Sequence, residues 1–477
     1  MSLLPALTHL FQFSCYSGSI PNCWKKAIVR PLLKSQPADL VSSYRPISLT
    51  ATTCKILERK VYDVLNDHLS KLNFIPECQY GFRKGKSTTT QLLGKLDDWT
   101  NAVEQGSCVD IFYADFAKVF DSIPHNRLLS KLKSAGILGA LLSWLSDFLR
   151  GRFFSVMVDS NYSNEDHCPS GVPQGSILGP LLFIFYISDL PEFCRTPGVI
   201  IKLFADDLNS SLIHKNLPSQ TNQLQLFIQK LQLYCHTNGL RLQPSKCAML
   251  YLSRSNKECT YILENQALEH KSVVRDLGIH ISSDLKWNKH VSIVTNKALG
   301  RLFLLFKSLN SNDHLFLVHM FKVYVRSILD YGSSIFNSNS KQNINLIENV
   351  QKRFTRYVFS RLKFIFPNMP SYAERLSFLN LCTLENHLLQ NDLILFHRII
   401  LGEIYIDTNY PTHFEDNISR SNPKGVYIPN ASKNSRRDSF FVRLPKLYLK
   451  LPIDLTCLPS NQFAVSIRNI DVKAILG

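Results

Sequence analysis

Val199-Ile200-Ile201 runs into Phe204-Ala205-Asp206-Asp207, and a second short apolar stretch, Leu212-Ile213, follows. The pattern predicts strand, tight turn, strand, with two adjacent carboxylates at the tip. Adjacent carboxylates repel each other unless a cation sits between them. The pair therefore points to a divalent-metal site, although a solvated turn is the plainer reading of two aspartates taken alone. A second acidic strand end supports the metal. Val109-Asp110-Ile111-Phe112-Tyr113-Ala114-Asp115 is rich in β-branched and aromatic residues and ends in an acid. The chain then turns toward a helix through Phe120 and Asp121, where Asp121 has the further reading of a helix cap. If the two strands are neighbours in one sheet, Asp115, Asp206 and Asp207 converge. Three carboxylates can hold two Mg²⁺ ions about 3.5–4 Å apart, the arrangement used for in-line phosphoryl transfer, and Mn²⁺ is an alternative ion for the same ligands.

The composition bounds what such a site serves. The 477-residue chain is 45% hydrophobic, enough for several domains and a sizeable core. Its formal net charge of +17 points to a polyanionic partner, of which nucleic acid is the commonest. Lys and Arg are spread along the whole chain rather than gathered in a tail. The 12 cysteines show no zinc spacing and read as reduced, buried thiols of an intracellular protein, nuclear or cytoplasmic. No basic region precedes the first apolar residues, so no signal peptide is expected. The apolar run from Leu181 to Ile187 is too short to cross a bilayer, so no membrane partner is expected.

Along the chain, Trp24 to Lys34 reads as a strand leading into a basic loop. Residues 54–72 have apolar residues at helical spacing. Ser87 reads as the N-cap of a helix through about residue 104. His125 to Arg150 reads as two helices broken near Gly136–Gly139. Ser176 to about Phe193 reads as one helix closed by Pro191, and Gln220 to Asn238 as another, ended by Gly239. Short strands are expected at 247–253, 259–263 and 274–281. The chain from residue 288 onward reads as mostly helical, and the Asn-, Ser- and Pro-rich stretch beyond about 410 as irregular. Strands mixed with segregated helices indicate an α+β fold.

Seven motifs in register add a resemblance. Ala114-Asp115-Phe116-Ala117-Lys118-Val119-Phe120-Asp121-Ser122-Ile123-Pro124-His125 resembles the first catalytic motif of reverse transcriptases from non-LTR retrotransposons. Gly171-Val172-Pro173-Gln174-Gly175-Ser176-Ile177-Leu178-Gly179-Pro180-Leu181-Leu182 resembles their second, and Phe204-Ala205-Asp206-Asp207 their third. Tyr44-Arg45-Pro46-Ile47-Ser48-Leu49 and Gln79-Tyr80-Gly81-Phe82-Arg83-Lys84-Gly85 resemble the fingers motifs. Asn238 to Lys246 resembles the fourth palm motif, and Asp276-Leu277-Gly278-Ile279 the primer grip. The likeness covers roughly residues 15–290, with a weaker likeness to jockey and chicken-repeat type elements running to about 400. Val119, Tyr234, Gln243 and Cys247 depart from the residues common in the family, but no carboxylate and not the motif lysine is lost.

The resemblance implies a right-hand polymerase: an N-terminal segment and fingers over 1–107, an antiparallel-sheet palm over 108–285, a helical thumb and extension over 286–410, and a tail over 411–477. It implies an RNA-directed DNA polymerase that uses an RNA template, a DNA primer or target-site DNA, and deoxynucleoside triphosphates. Asp115 and Asp206 would bridge both metals, with Asp207 the weaker ligand. Lys246 would protonate the leaving pyrophosphate. Arg45 would grip the triphosphate with its planar fork, and Lys34 would be a second phosphate contact. Phe120, five residues after Asp115, would clash with a ribose 2′-OH; ordinary packing is the equal alternative. Gln174 and Gly175 would lie against the nascent base pair, and Gly278 against the primer. Lys352, Arg353 and Arg356 would face outward from a helix that buries Ile347, Val350, Phe354 and Tyr357. That face reads either as a groove tracking the template–primer backbone or as a solvated basic surface, and the net charge favours the groove. A second reading is a decayed or co-opted fragment that binds nucleic acid without turnover. A third is a template-independent or RNA-synthesising polymerase that shares the palm.

Overall fold

Strand Cys108–Ala114 is apolar on both sides because both of its faces are covered. Successive side chains of a strand point to opposite faces, and so Val109 and Ile111 enter one core while Phe112 and Ala114 enter another. The computed structural model describes residues 3–34, 36–215, 218–252, 259–337, 340–364, 367–408, 410 and 426–476. Among these residues run β1 (Lys26–Leu33), β2 (Tyr44–Leu49), β3 (Cys108–Ala114), β4 (Arg152–Val158), β5 (Asn161–Tyr162), β6 (Asp166–Cys168) and β7 (Val199–Phe204). There follow β8 (Asp207–His214), β9 (Ala248–Leu252), β10 (Ile262–Leu263), β11 (Gln266–Ala267), β12 (Glu269–His270), β13 (Val273–Asp276) and β14 (Ile279–Ser282).

The central sheet has the order β12-β9-β3-β8-β7. Its main pairs are antiparallel, and only the short β12 runs parallel to its neighbour β9. Antiparallel sheets often leave one face to water; here helices take both. On one face Phe112, Leu203, Leu208, Leu212 and Met249 pack with helices Leu178–Tyr186 and Pro218–Asn238. On the other, Val109, Ile111, Leu250 and Leu252 meet Leu92, Leu93, Leu96 and Trp99 of helix Thr88–Glu104. That second core continues into helices Asn288–Ser308, Lys341–Arg361, Leu384–Ile400 and Phe440–Leu449. An N-terminal sheet, ordered β2-β1-β4-β5 with β6 also on β4, stands apart from the central one. The Ser87 cap forms as expected: its hydroxyl accepts from the Thr90 N–H at 3.1 Å, and its own N–H donates to Thr90 Oγ1 at 2.9 Å.

Several expectations change in the folded chain. The helix expected over 176–193 is two, Leu178–Tyr186 and Leu190–Phe193; Pro191 sits in the first turn of the second, where its missing N–H costs nothing. The strand expected over 274–281 is the hairpin β13–β14, because Leu277 and Gly278 both take positive φ, as a two-residue turn requires. Of 259–263 only Ile262–Leu263 is strand, and residue 253 of the expected 247–253 lies outside the described residues. Four of the twelve free cysteines, Cys15, Cys23, Cys382 and Cys457, are exposed rather than buried.

The largest correction concerns residues 411–477. Residues 411–425 lie outside the described residues, but 426–476 is not an irregular tail. It carries helices Asn434–Arg437, Phe440–Leu449, Ile453–Thr456, Ser460–Arg468 and Val472–Leu476. Phe440, Phe441, Leu444 and Tyr448 fall on one helical face; Ser439 and Pro459 stand at helix starts, while Pro445 lies inside helix Phe440–Leu449. The chain reaches back to helix Thr88–Glu104. The Arg436 guanidinium pairs with Asp97 and donates to the Asp97 carbonyl at 3.1 Å and to Thr100 Oγ1 at 3.0 Å. Gly94 leaves room for the returning chain: a Cβ there would lie 2.5 Å from the Asp407 carbonyl oxygen. Asp407 in turn pairs with Lys202 of β7. Arg443 and Asp392 form a further buried pair at 2.8 Å.

Removing one partner of a buried ion pair strands the other charge and costs about 3–5 kcal/mol. Arg436→Ala is expected to destabilise the whole chain by that order, read as a shift in the urea midpoint. A loss under about 1 kcal/mol would show that the C-terminal helices are an appendage and not part of the second core.

Candidate active site

The pairing of β3 with β8 builds the site. It runs from Cys108 opposite His214 to Ala114 opposite Leu208, so the next step along the ladder sets Asp115 opposite Asp207. The β7–β8 hairpin closes with Phe204 opposite Asp207, leaving Ala205-Asp206 as a two-residue turn. Ala205 has φ +54°, a left-handed conformation that a Cβ disfavours. Gln79 holds it there. Its Oε1 accepts from the Ala205 N–H at 2.9 Å and from the Gly81 N–H at 2.8 Å. The Tyr80 N–H donates to the Leu203 carbonyl at 2.8 Å, and the Leu203 N–H to the Cys78 carbonyl at 2.8 Å. Gly81 is required by this contact, since a Cβ would stand 2.3 Å from the Ala205 nitrogen. Gln79 was not among the expected site residues; its place in a motif before a glycine was the only signal.

The two hairpin acids meet different surroundings. Burial raises the Asp206 carboxyl above its usual range, and the Asp115 charge adds to this, while Lys34 and Arg45 pull it down. Those two cations come from the N-terminal sheet: Leu32 pairs with Arg45 and Leu33 with Tyr44, just before Lys34. Asp207 keeps an exposed side, yet loss of water around its carboxyl pushes it up to about 6. The charges of Asp206, Asp276 and Asp115 act in the same direction, and Lys95 against them. Asp115, Asp207 and Lys246 line one cleft of about 380 Å³, together with Lys95, Tyr113, Asn209 and Asp276. Lys246 is brought there by its turn: the Gln243 N–H donates to the Asp115 carbonyl at 2.8 Å, and Cys247 Sγ accepts from the Asp115 N–H at 3.5 Å. Two departures from the family pattern, Gln243 and Cys247, thus brace the backbone of Asp115.

The expected convergence is one of sheet position and charge. Among the described residues no three His, Cys, Asp or Glu side chains are gathered as a ready metal cage. The donor set itself, carboxylate oxygens on neighbouring strand ends, fits a hard divalent cation.

Phe120 is half-buried, with its ring 4.5 Å from that of Phe183. The Gln174 side-chain amide donates to Asp121 Oδ1 at 2.9 Å, and the Gln174 backbone carbonyl accepts from the Ser48 N–H at 2.7 Å. Gly175 has φ +115°, and a Cβ would meet the Ser48 carbonyl at 2.5 Å, so this loop is pinned to β2. Gly278 lies against the Tyr331 ring, 3.0 Å from where its Cβ would stand. Lys352, Arg353 and Arg356 do not reach the cleft. Arg353 and Arg356 are exposed, and Lys352 lies over the Tyr372 ring at 5.4 Å. Tyr357, expected inside that helix, is 42% exposed and rests against Phe306 instead.

The family described as reverse transcriptase (RNA-dependent DNA polymerase) matches residues 32–281. The chain belongs to that family. It is similar to the "Probable RNA-directed DNA polymerase from transposon BS" of Drosophila melanogaster, at 30% identity over 355 residues, 71% of this chain and 38% of that protein. It is also similar to the "RNA-directed DNA polymerase from mobile element jockey" of the same fly, at 28% identity over 354 residues, 72% of this chain and 38% of that protein. The chain thus spans about 38% of the length of these relatives. Among solved structures, apo telomerase from Candida Tropicalis is similar at 11% identity with a TM-score of 0.43, over 79% of this chain and 66% of that one; a likeness this loose carries no argument. The α+β architecture is that of a right-hand polymerase, with the central sheet as the reverse transcriptase palm.

A raised folded-state pKa at Asp207 means that the folded chain holds its proton more tightly than the unfolded chain does. In metal-free protein this contribution is fully present below about pH 4 and is lost as pH rises through about 6. Asp207→Asn removes that loss. Metal-free thermal melts are expected to show a gain for the variant at about pH 7 and none at about pH 4. An equal gain at both would show that carboxylate charge is not the cause.

Proposed function

We propose that the chain is the RNA-directed DNA polymerase part of a non-LTR retrotransposon, extending a DNA primer or nicked target-site DNA on an RNA template with deoxynucleoside triphosphates. The observation that carries this is the single cleft in which Asp115 and Asp207 end adjacent strands beside Lys246. Asp206 lies in the turn of the same hairpin, and the charges of Lys34 and Arg45 from the N-terminal sheet act on it.

Each side chain then has a physical task. Asp115, Asp206 and Asp207 would hold two Mg²⁺ ions, or Mn²⁺, which when bound supply activation of the primer hydroxyl and neutralisation of the leaving pyrophosphate. Arg45 and Lys34, whose charges act on Asp206, would bind the triphosphate oxygens, Arg45 with two parallel N–H groups. Lys246, exposed at the cleft, would donate a proton to the pyrophosphate oxygen. Gln79 keeps the hairpin turn fixed, so the aspartates do not pay reorganisation during the reaction. Phe120, on the helix that starts just past Asp115, would exclude a ribose 2′-OH. Gly175 and Gln174 would let the loop approach the new base pair. The +17 charge suits the nucleic acid partners. No described helix is long and apolar enough to cross a membrane. The reading as a decayed fragment is not favoured, since every residue required of the cleft is present.

Asp206→Asn keeps the side-chain shape and removes the charge. Primer extension on an RNA template is expected to fall to background while the melting curve stays cooperative. Near-normal extension would show that the hairpin acids are not the metal ligands.

Phe120→Val is expected to raise incorporation of a matched ribonucleotide relative to its deoxynucleotide, measured as the ratio of kcat/KM values. Loss of the Phe183 contact contributes about 0.5–1.5 kcal/mol of destabilisation in either case. An unchanged ratio with a lowered melting temperature would leave Phe120 as packing.

A further inference from the structure

We infer that the buried ion pair between Lys95 and Asp276 is a positioning device that fastens the β13–β14 hairpin against Asp207 and so sets where the primer end lies. The inference deepens the polymerase reading and rests on it.

Lys95 lies on the inward side of helix Thr88–Glu104, among Leu92, Leu96 and Trp99. A lysine in that place is costly unless its charge is paired. Its Nζ donates to Asp276 Oδ2 at 2.6 Å, with the two side chains only 2% and 6% exposed. Asp276 is the last residue of β13, immediately before the turn Leu277-Gly278. That hairpin needs an anchor. Its strands have four residues each, they pair only with each other, and a two-stranded hairpin is marginal by itself. At the tip the Tyr331 hydroxyl donates to the Leu277 carbonyl at 2.7 Å. Beside it, Lys95 holds Asp276, the residue just before the turn.

The hairpin is a wall of the catalytic cleft. Val273, Val274, Arg275, Asp276 and Leu277 line it opposite Asp115, Asp207 and Lys246. Any chain end with its reacting hydroxyl at those aspartates must lie against this wall. The floor between is polar: the Tyr113 hydroxyl lies beside Asp276 and Asn209, and the Gln91 side-chain carbonyl has no hydrogen-bond partner among the described residues. A buried ion pair gives little stability over well-packed apolar residues, but it fixes direction and distance between two elements. Here it joins the helix that covers the palm to the hairpin that edges the site.

The test uses the full chain with Lys95→Met, Asp276→Leu and the double variant. Each single change strands a charge and is expected to lower the melting temperature; the double change removes both charges and is expected to recover much of it. If the pair positions the hairpin, the double variant shows faster amide exchange over residues 273–282. Its KM for template–primer rises about tenfold, while its KM for the deoxynucleotide stays within about twofold. Exchange and both KM values at the wild-type level would overturn the inference and leave the pair as packing. Wild-type protein that extends no primer would instead overturn the polymerase reading. The exchange of 273–282 would then still decide the pair: faster exchange upholds the fastening and unchanged exchange refutes it.

Discussion

Seven rungs of antiparallel pairing join β3 to β8, and the places of Asp115 and Asp207 in the cleft follow from them. Because the register is fixed by apolar residues on both faces, a slip of one residue would turn Val109 and Ile111 into the core that holds Phe112, and the reverse. The chemistry at the end of the ladder is therefore set by packing along its length. Asp115 ends one strand opposite Asp207, which begins the other. The charges at that edge repel, and the protein leaves them in that state, with Asp206 and Asp207 both raised above the ordinary carboxylate range. A site of this kind carries unfavourable electrostatics until a cation arrives.

What keeps the edge in place is a set of contacts from distant segments. Gln79 bonds the strained Ala205 turn from one side, the 243–247 turn bonds the Asp115 backbone from another, and the Gln174 loop is tied to β2. Farther out, Lys202 of β7 pairs with Asp407, and helix Thr88–Glu104 is gripped by Arg436. These last two partners lie beyond the matched reverse transcriptase residues, 32–281. The C-terminal helices and the palm thus share one core, and the acids rest on a scaffold that extends well past the sequence motifs.

The two hairpins at the cleft illustrate one physical device used twice. β7–β8 turns through Ala205 and β13–β14 through Leu277-Gly278, all at positive φ. Both turns are two residues long and both are held by a side chain from another element, Gln79 in one case and Tyr331 in the other. Short turns of this type take up little room, which lets a strand end approach a neighbouring element closely. Gly81 and Gly278 mark those approaches: a Cβ would meet a backbone nitrogen at 2.3 Å in the first and an aromatic ring at 3.0 Å in the second.

The sequence by itself determined the local and the chemical. Apolar runs located β3, β7 and β8, helical spacing the helices at 52–71 and 218–238, and the Ser87 cap the helix at 88–104, because each signal is written in neighbouring residues. The order of the motifs identified the acids, the cations and the family. Only the tertiary structure decided how the acids stand: Asp115 and Asp207 share one sheet edge through the β3–β8 register. It alone showed that Gln79 holds the hairpin, that Lys95 and Asp276 meet across 181 residues, and that the stretch after 426 is helical and packed on residues near 100. The reason is the same in each case. A buried charge or a strained turn is tolerated only when a partner arrives from elsewhere in the chain, and no pattern of neighbouring residues names that partner.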